Sequence, residues 1–198
     1  KLRFGKLTKQ IYDILENNKT VEFKDIKPTK LYPNNIDVDK INLNEINKLK
    51  GKSNLFKSYY NREQVNKYLI ENLNKFNVYL CVGAQIMITR NINIDIGLVN
   101  GSRGIIIDLS HDTCIIKTIK GTIHTINYYK QDLNDYKNLF IMFMPIKLAY
   151  AITIHKSQGS TIDYLEISLG NKIFESGQSY TALSRGKKLE NIKIIDLH

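Results

Sequence analysis

Residues Pro145 to Asp163 read Pro-Ile-Lys-Leu-Ala-Tyr-Ala-Ile-Thr-Ile-His-Lys-Ser-Gln-Gly-Ser-Thr-Ile-Asp. A proline suits the first position of a helix. The apolar run after it predicts a buried helix, ended by Gly159 in a left-handed cap. Beyond the glycine, Tyr164-Leu165-Glu166-Ile167-Ser168-Leu169 alternates in the manner of a strand. A buried segment thus carries the polar tip His155-Lys156-Ser157-Gln158-Gly159 to a domain edge. Imidazole, ammonium, hydroxyl and amide groups so close together suit phosphate or nucleic acid. The same tip also reads as an ordinary polar loop after a core helix.

A second stretch, Gly177-Gln178-Ser179-Tyr180-Thr181-Ala182-Leu183-Ser184-Arg185, lies shortly downstream. Together the two resemble motifs V and VI of superfamily 1 DNA helicases in their Pif/RecD-type form. Three more stretches match that family in the same order. They are Leu31-Tyr32-Pro33-Asn34-Asn35, Val82-Gly83-Ala84-Gln85-Ile86-Met87 and Gly97-Leu98-Val99-Asn100-Gly101-Ser102-Arg103-Gly104. The resemblance covers nearly the whole chain.

The resemblance implies an α/β fold, the second RecA-like (P-loop NTPase-type) parallel-sheet domain with an inserted small SH3-like β-barrel. Residues 1–25 would be the tail of the first RecA-like domain. Residues 26–78 and 145–198 would form the second, and 79–144 the barrel with its connections. The activity implied is that of the C-terminal portion of an ATP-dependent 5′-to-3′ DNA helicase. Arg185 would be the arginine finger, with Gly159 and Gln178 beside the nucleotide. Thr153, His155, Lys156, Ser157 and Gln158 would touch the DNA backbone or relay between DNA and ATP. Asn34 and Asn35 are plausible contacts in the motif IV region, and as turn residues they need no function. The implied cofactors are ATP and Mg2+, held mainly by an N-terminal RecA-like domain of the same protein. That domain, single-stranded DNA and a DNA fork or duplex junction are the implied partners.

The residues themselves support part of this. The chain has no Gly-x-x-x-x-Gly-Lys-Ser/Thr loop and no acidic pair at a strand end placed to hold magnesium. On these residues it is not expected to be a complete ATPase, and the resemblance implies that it supplies the opposite wall of an ATP site. A guanidinium suits that wall because it is always charged and presents a planar fork to phosphate oxygens. Gly101-Ser102-Arg103-Gly104 offers glycine-flanked amides beside a guanidinium, which fits a phosphate-binding turn or simply a hairpin needing positive φ.

Composition agrees with a polyanionic partner. The 198 residues carry a formal net charge of +10, with a sequence pI near 9.4. The lysines are spread along the whole chain, which also suits a solvated surface. Cys81 and Cys114 lie far apart in apolar surroundings and read as small core residues of a reducing, intracellular protein. No histidine has zinc spacing. No apolar run reaches transmembrane length, and no membrane partner is expected. Nucleus, mitochondrion and viral replication site all remain open. The start, without methionine and inside an amphipathic pattern, reads as that of a piece of a larger protein.

In chain order, the spacing predicts helices from Thr8 to about Asn17, from Ile36 to Leu49 and from about Arg62 to Lys75. Lys27 to Asn34 reads as a strand into a turn. Residues 52–61 read as a loop whose Phe56, Tyr59 and Tyr60 either stack on bases or cover a core edge. Strands are expected at 79–90, 104–109, 113–119, 122–128 and 138–144, separated by Asn100-Gly101, Ser110-His111-Asp112 and Lys120-Gly121 turns. Short strands with tight turns suggest a small barrel. From Pro145 the order helix, strand, helix, strand is α/β layering. Two alternatives stand beside the helicase reading: a free-standing nucleic-acid-binding module, and an RNA-directed helicase of the same superfamily.

Overall fold

A computed structural model describes residues 8–20, 27–62, 65, 67–169 and 177–197. The chain divides into two compact units, one formed by Lys1–Glu45 with Ala149–His198, the other by Ile46–Leu148.

The first unit opens with helix α1 (Lys9–Asn17), which buries Leu15. Asn18, after the helix, donates its amide to the carbonyls of Leu189 (2.6 Å) and Ile192 (2.8 Å). Those bonds tie α1 to the end of the unit. Strand β1 (Thr29–Tyr32) follows, and Pro33 stops it. Helix α2 (Asn35–Ile46) then starts under a side-chain cap, because Asn34 Oδ1 accepts from the Asp37 amide at 3.1 Å.

The second unit contains β2 (Ser53–Phe56), β3 (Tyr59–Tyr60), α3 (Lys67–Leu73), β4 (Val78–Cys81), β5 (Gln85–Ile88), β6 (Arg103–Leu109), β7 (Cys114–Thr118), β8 (Ile123–Ile126), β9 (Tyr129–Asp132), β10 (Phe140–Phe143) and β11 (Ile146–Leu148). All its strand pairings are antiparallel. The main sheet runs β11-β5-β6-β7-β8. Its core gathers Phe56, Leu80, Ile86, Ile106, Leu109 and Ile116, each 0–1 % exposed. Both cysteines are buried, and burial pushes the Cys114 thiol up to about 12.

The chain then re-enters the first unit as β12 (Ala151–Thr153), β13 (Leu165–Leu169), α4 (Gln178–Leu183) and β14 (Ile192–Leu197). With β1 these make a parallel sheet of order β12-β1-β13-β14. A parallel sheet plus an inserted antiparallel β unit is the expected fold class.

Several local expectations differ. The helix expected from Pro145 is two short strands, β11 and β12, followed by a 3-10 turn over His155–Ser157. Its apolar run is short and largely interior, and in such a run periodicity cannot separate strand from helix. Gly159 does take a positive φ of 76°, closing that turn rather than an α-helix. The expected strand 79–90 breaks at Gly83, φ 90°, so β4 and β5 join different sheets. Residues 52–61 are two strands rather than a loop. Phe56 is core at 1 % exposure, while Tyr59 stands 51 % exposed. β9 lacks apolar alternation and was not expected at all. Residues 46–78, given on sequence to the RecA-like domain, fall within the second unit. Residues 1–7, 21–25, 63, 64 and 66 lie outside the described residues. No helix among the described residues is long and apolar enough to cross a membrane.

Strand β12 is an edge strand, yet it is fully buried at Ala151. Asn42 on α2 completes it. Its Nδ2 donates to the Ala151 carbonyl (2.9 Å) and its Oδ1 accepts from the Ala151 amide (3.0 Å). One side chain thus replaces a missing strand. Asn42→Leu leaves both backbone groups orphaned and should cost about 2–4 kcal/mol in urea unfolding, since each buried unsatisfied group costs about 1–3 kcal/mol. An unchanged midpoint would show that the edge is hydrated instead.

Candidate nucleotide and nucleic-acid interface

In open α/β sheets, ligands gather at the carboxyl ends of the strands. Here β1 and β12 run parallel with Tyr32 opposite Thr153, so both leave the sheet at one edge. The Ile154 amide still donates to the Tyr32 carbonyl at 2.8 Å. Asn34 and Asn35 therefore emerge beside the turn that carries His155 and Lys156.

That turn divides the sequence-predicted contacts into two sets. Thr153 is buried, and its Oγ1 accepts from the Lys156 amide at 3.2 Å. Ser157 is 0 % exposed and donates its Oγ to the Ile154 carbonyl at 2.6 Å. Both hydroxyls build the turn and do not face solvent, so of the two expected roles, touching the DNA backbone or relaying between DNA and ATP, they do not offer direct contact. His155, Lys156, Gln158 and Gly159 are exposed. Among the described residues, the side chains of His155, Lys156 and Gln158 have no partner. Asn34 and Asn35 are exposed too, but Asn34 is occupied as the cap of α2, its Nδ2 also reaching Asp37 Oδ2 at 3.2 Å.

Arg103 departs further from expectation. It is only 2 % exposed, inside the main sheet of the second unit, so its guanidinium is not a surface phosphate contact. The glycines around it serve the hairpin: Gly101 has φ 97°, and Gly104 sits opposite Ile86 and Thr118 between two strands.

Arg185 follows α4, whose first residue is Gln178. Gly177, with φ 85°, turns the chain into that helix. Gln178 is half-buried. The Arg185 guanidinium donates to the Thr181 carbonyl (3.2 Å), the Ser184 hydroxyl (3.0 Å) and, at the limit, the Ser160 carbonyl (3.5 Å). No carboxylate among the described residues pairs with it. Its backbone is fixed as well, the Arg185 carbonyl accepting from the Ile162 amide at 2.9 Å. The loop leaving the polar turn through Gly159 and Ser160 is thus bonded directly to the arginine segment. Ser160 is 3 % exposed, and its role as a carbonyl acceptor has no side-chain signature in the sequence. No group of three or more His, Cys, Asp or Glu side chains able to hold a metal occurs among the described residues.

A family model described as the 2B domain of the DNA helicase Pif1 matches residues 63–109. The "ATP-dependent DNA helicase PIF1" of Danio rerio is 32 % identical across 98 % of this chain and 32 % of its own length. The structure of Pif1 from Bacteroides sp in complex with ADP-AlF4 superposes with a TM-score of 0.80 at 25 % identity, covering 100 % of this chain and 47 % of that one. Bacteroides Pif1 bound to ssDNA gives a TM-score of 0.64 at 25 % identity, covering 100 % and 47 %. A RecA-like parallel sheet with an inserted antiparallel β unit is the architecture shared with these helicase structures. Over nearly its whole length the chain is similar to the C-terminal region of Pif1 helicases. It spans about a third of the curated relative's length and about half of the solved chains.

Proposed function

We propose that the chain is the second RecA-like domain, with its inserted β unit, of an ATP-dependent 5′-to-3′ DNA helicase acting inside the cell. The carrying observation is Arg185, a partly buried guanidinium held only by neutral acceptors, with its positive charge uncompensated among the described residues. An arginine aimed at the γ-phosphate stabilises charge in phosphoryl transfer by about 10³–10⁵ in rate. ATP and Mg2+ would supply the phosphoryl chemistry, bound mainly by an N-terminal RecA-like domain. The donors here fit a phosphate, and nothing described in this chain forms a cage for the metal. Gly159 and Gln178 flank the nucleotide side. His155, Lys156 and Gln158 meet the DNA backbone, with Asn35 beside them. Thr153 and Ser157 position that turn. The Ser160–Arg185 contact joins the two functions, so a shift of the DNA-bound turn moves the arginine.

This chain alone should show no ATP turnover above background, even with saturating single-stranded DNA, while the complete parent turns over and unwinds a 5′-tailed duplex. Robust turnover by the chain alone would overturn the assignment.

Binding of single-stranded DNA should weaken with salt, each phosphate contact adding about −0.7 to the slope of log K against log salt. Lys156→Ala should reduce that slope by about 0.7. A fluorescence titration showing an unchanged slope would place Lys156 on a merely solvated face.

A further inference from the structure

The second unit holds a groove that the helicase reading does not use. It has a volume of about 710 Å3, within the range of roughly 300–1,000 Å3 typical of small-molecule sites. Tyr59, Tyr128, Leu55 and Met142 give it apolar walls. The rings form a rigid series from core to surface. Phe56 is buried, its ring 6.3 Å from that of Tyr128, which lies 5.7 Å from that of Tyr59. Tyr128 is locked by donating its hydroxyl to the Lys57 carbonyl at 3.0 Å. Tyr59 ends the series 51 % exposed.

Around this platform stand groups that are free to bind. Lys57, His111 and Asn127 line the groove, are exposed, and have no side-chain partner among the described residues. Asp112, the one acidic lining residue, accepts from the Ser110 hydroxyl at 3.3 Å. We propose that the groove binds one nucleotide step of single-stranded nucleic acid, a base lying on Tyr59 and the adjoining phosphate meeting Lys57 and His111. Base–aromatic stacking beside cations is the sequence-tolerant mode of single-strand binding. Asn127 offers a donor and an acceptor to a base edge. The net charge of +10 brings polyanions to the surface. A proline-rich peptide would also favour aromatic ridges, but it would leave the ammonium and imidazole without an acceptor.

The test is NMR of the isotopically labelled full 198-residue chain titrated with a thymidine tetranucleotide. Amides at 111, 112 and 127 should shift saturably. Tyr59→Ala should weaken that response by about 5- to 100-fold, and Tyr59→Phe should restore it. Lys57→Ala should lower its salt slope by about 0.7. Lys156→Ala should leave these amides untouched, which keeps the groove separate from the turn at 155–158. Silent groove amides, or equal affinity in a folded Tyr59→Ala chain, overturn the proposal. So does a proline-rich, arginine-containing octapeptide that shifts the same amides while the tetranucleotide does not.

Discussion

Arg185→Lys in the complete parent enzyme is expected to lower DNA-stimulated ATP turnover by at least about 10²-fold, a loss of about 2.7 kcal/mol of transition-state stabilisation. The charge survives the substitution, so electrostatic steering and most DNA affinity should survive too. The planar fork does not. In the structure that fork is oriented by the Thr181 carbonyl, the Ser184 hydroxyl and, more distantly, the Ser160 carbonyl. A lysine ammonium has three donors but no fixed plane, and it cannot keep this alignment while meeting more than one phosphate oxygen. These neutral bonds are partly exposed, so folding should lose only about 1–2 kcal/mol. If Arg185 merely pinned the end of α4, the stability loss would appear without the loss of turnover. Steady-state ATPase, thermal unfolding and DNA affinity on one preparation separate the outcomes. Near-normal turnover in a folded Arg185→Lys enzyme removes the catalytic assignment.

What could be read in the sequence depended on whether a residue's identity or its direction carried the information. The left-handed turn at Gly159 was legible because positive φ is a property of the residue type. The parallel sheet came from the resemblance; the layering read after Pro145 anticipated β13, α4 and β14 but took β12 for part of a helix. Direction was not legible. Thr153 and Ser157 belong to the right turn, yet both hydroxyls point into its own backbone. Arg103 sits in the right hairpin, yet lies inside the sheet. A polar letter in a motif does not reveal which face of a strand it occupies when the strand is buried on both sides. The run from Ile146 to Ile154 misled as well: a short, mostly apolar segment loses the periodicity that separates helix from strand. Asn42 was invisible because its role depends on β12 being an edge, a fact of topology 109 residues away in sequence.

Gly104→Ala should destabilise the second unit by about 1–3 kcal/mol, although Gly104 needs no special backbone angle. It lies in β6 between Ile86 of β5 and Thr118 of β7. A Cβ there would stand 2.7 Å from the Lys117 carbonyl oxygen and 3.3 Å from its carbon. The obstacle is backbone, held in a ladder on which the core residues Ile106 and Ile116 also depend. It cannot rotate aside as a side chain would, so the strands must separate or slip. Gly121 makes the contrast. It has φ 85° and nothing within 4 Å of an added Cβ, so its requirement is conformational alone. Asparagine tolerates the left-handed region, and Gly121→Asn should cost well under about 1 kcal/mol. Gly104→Asn gains nothing from that tolerance and should be at least as damaging as alanine. For a chain of this size each kcal/mol moves the midpoint by about 2–4 °C, so Gly104→Ala should melt roughly 2–12 °C lower. Thermal unfolding of the four proteins, wild type included, decides it. Equal tolerance of asparagine at both positions would mean that Gly104 serves a turn, and that the close approach of β6 to β7 is not what excludes a side chain.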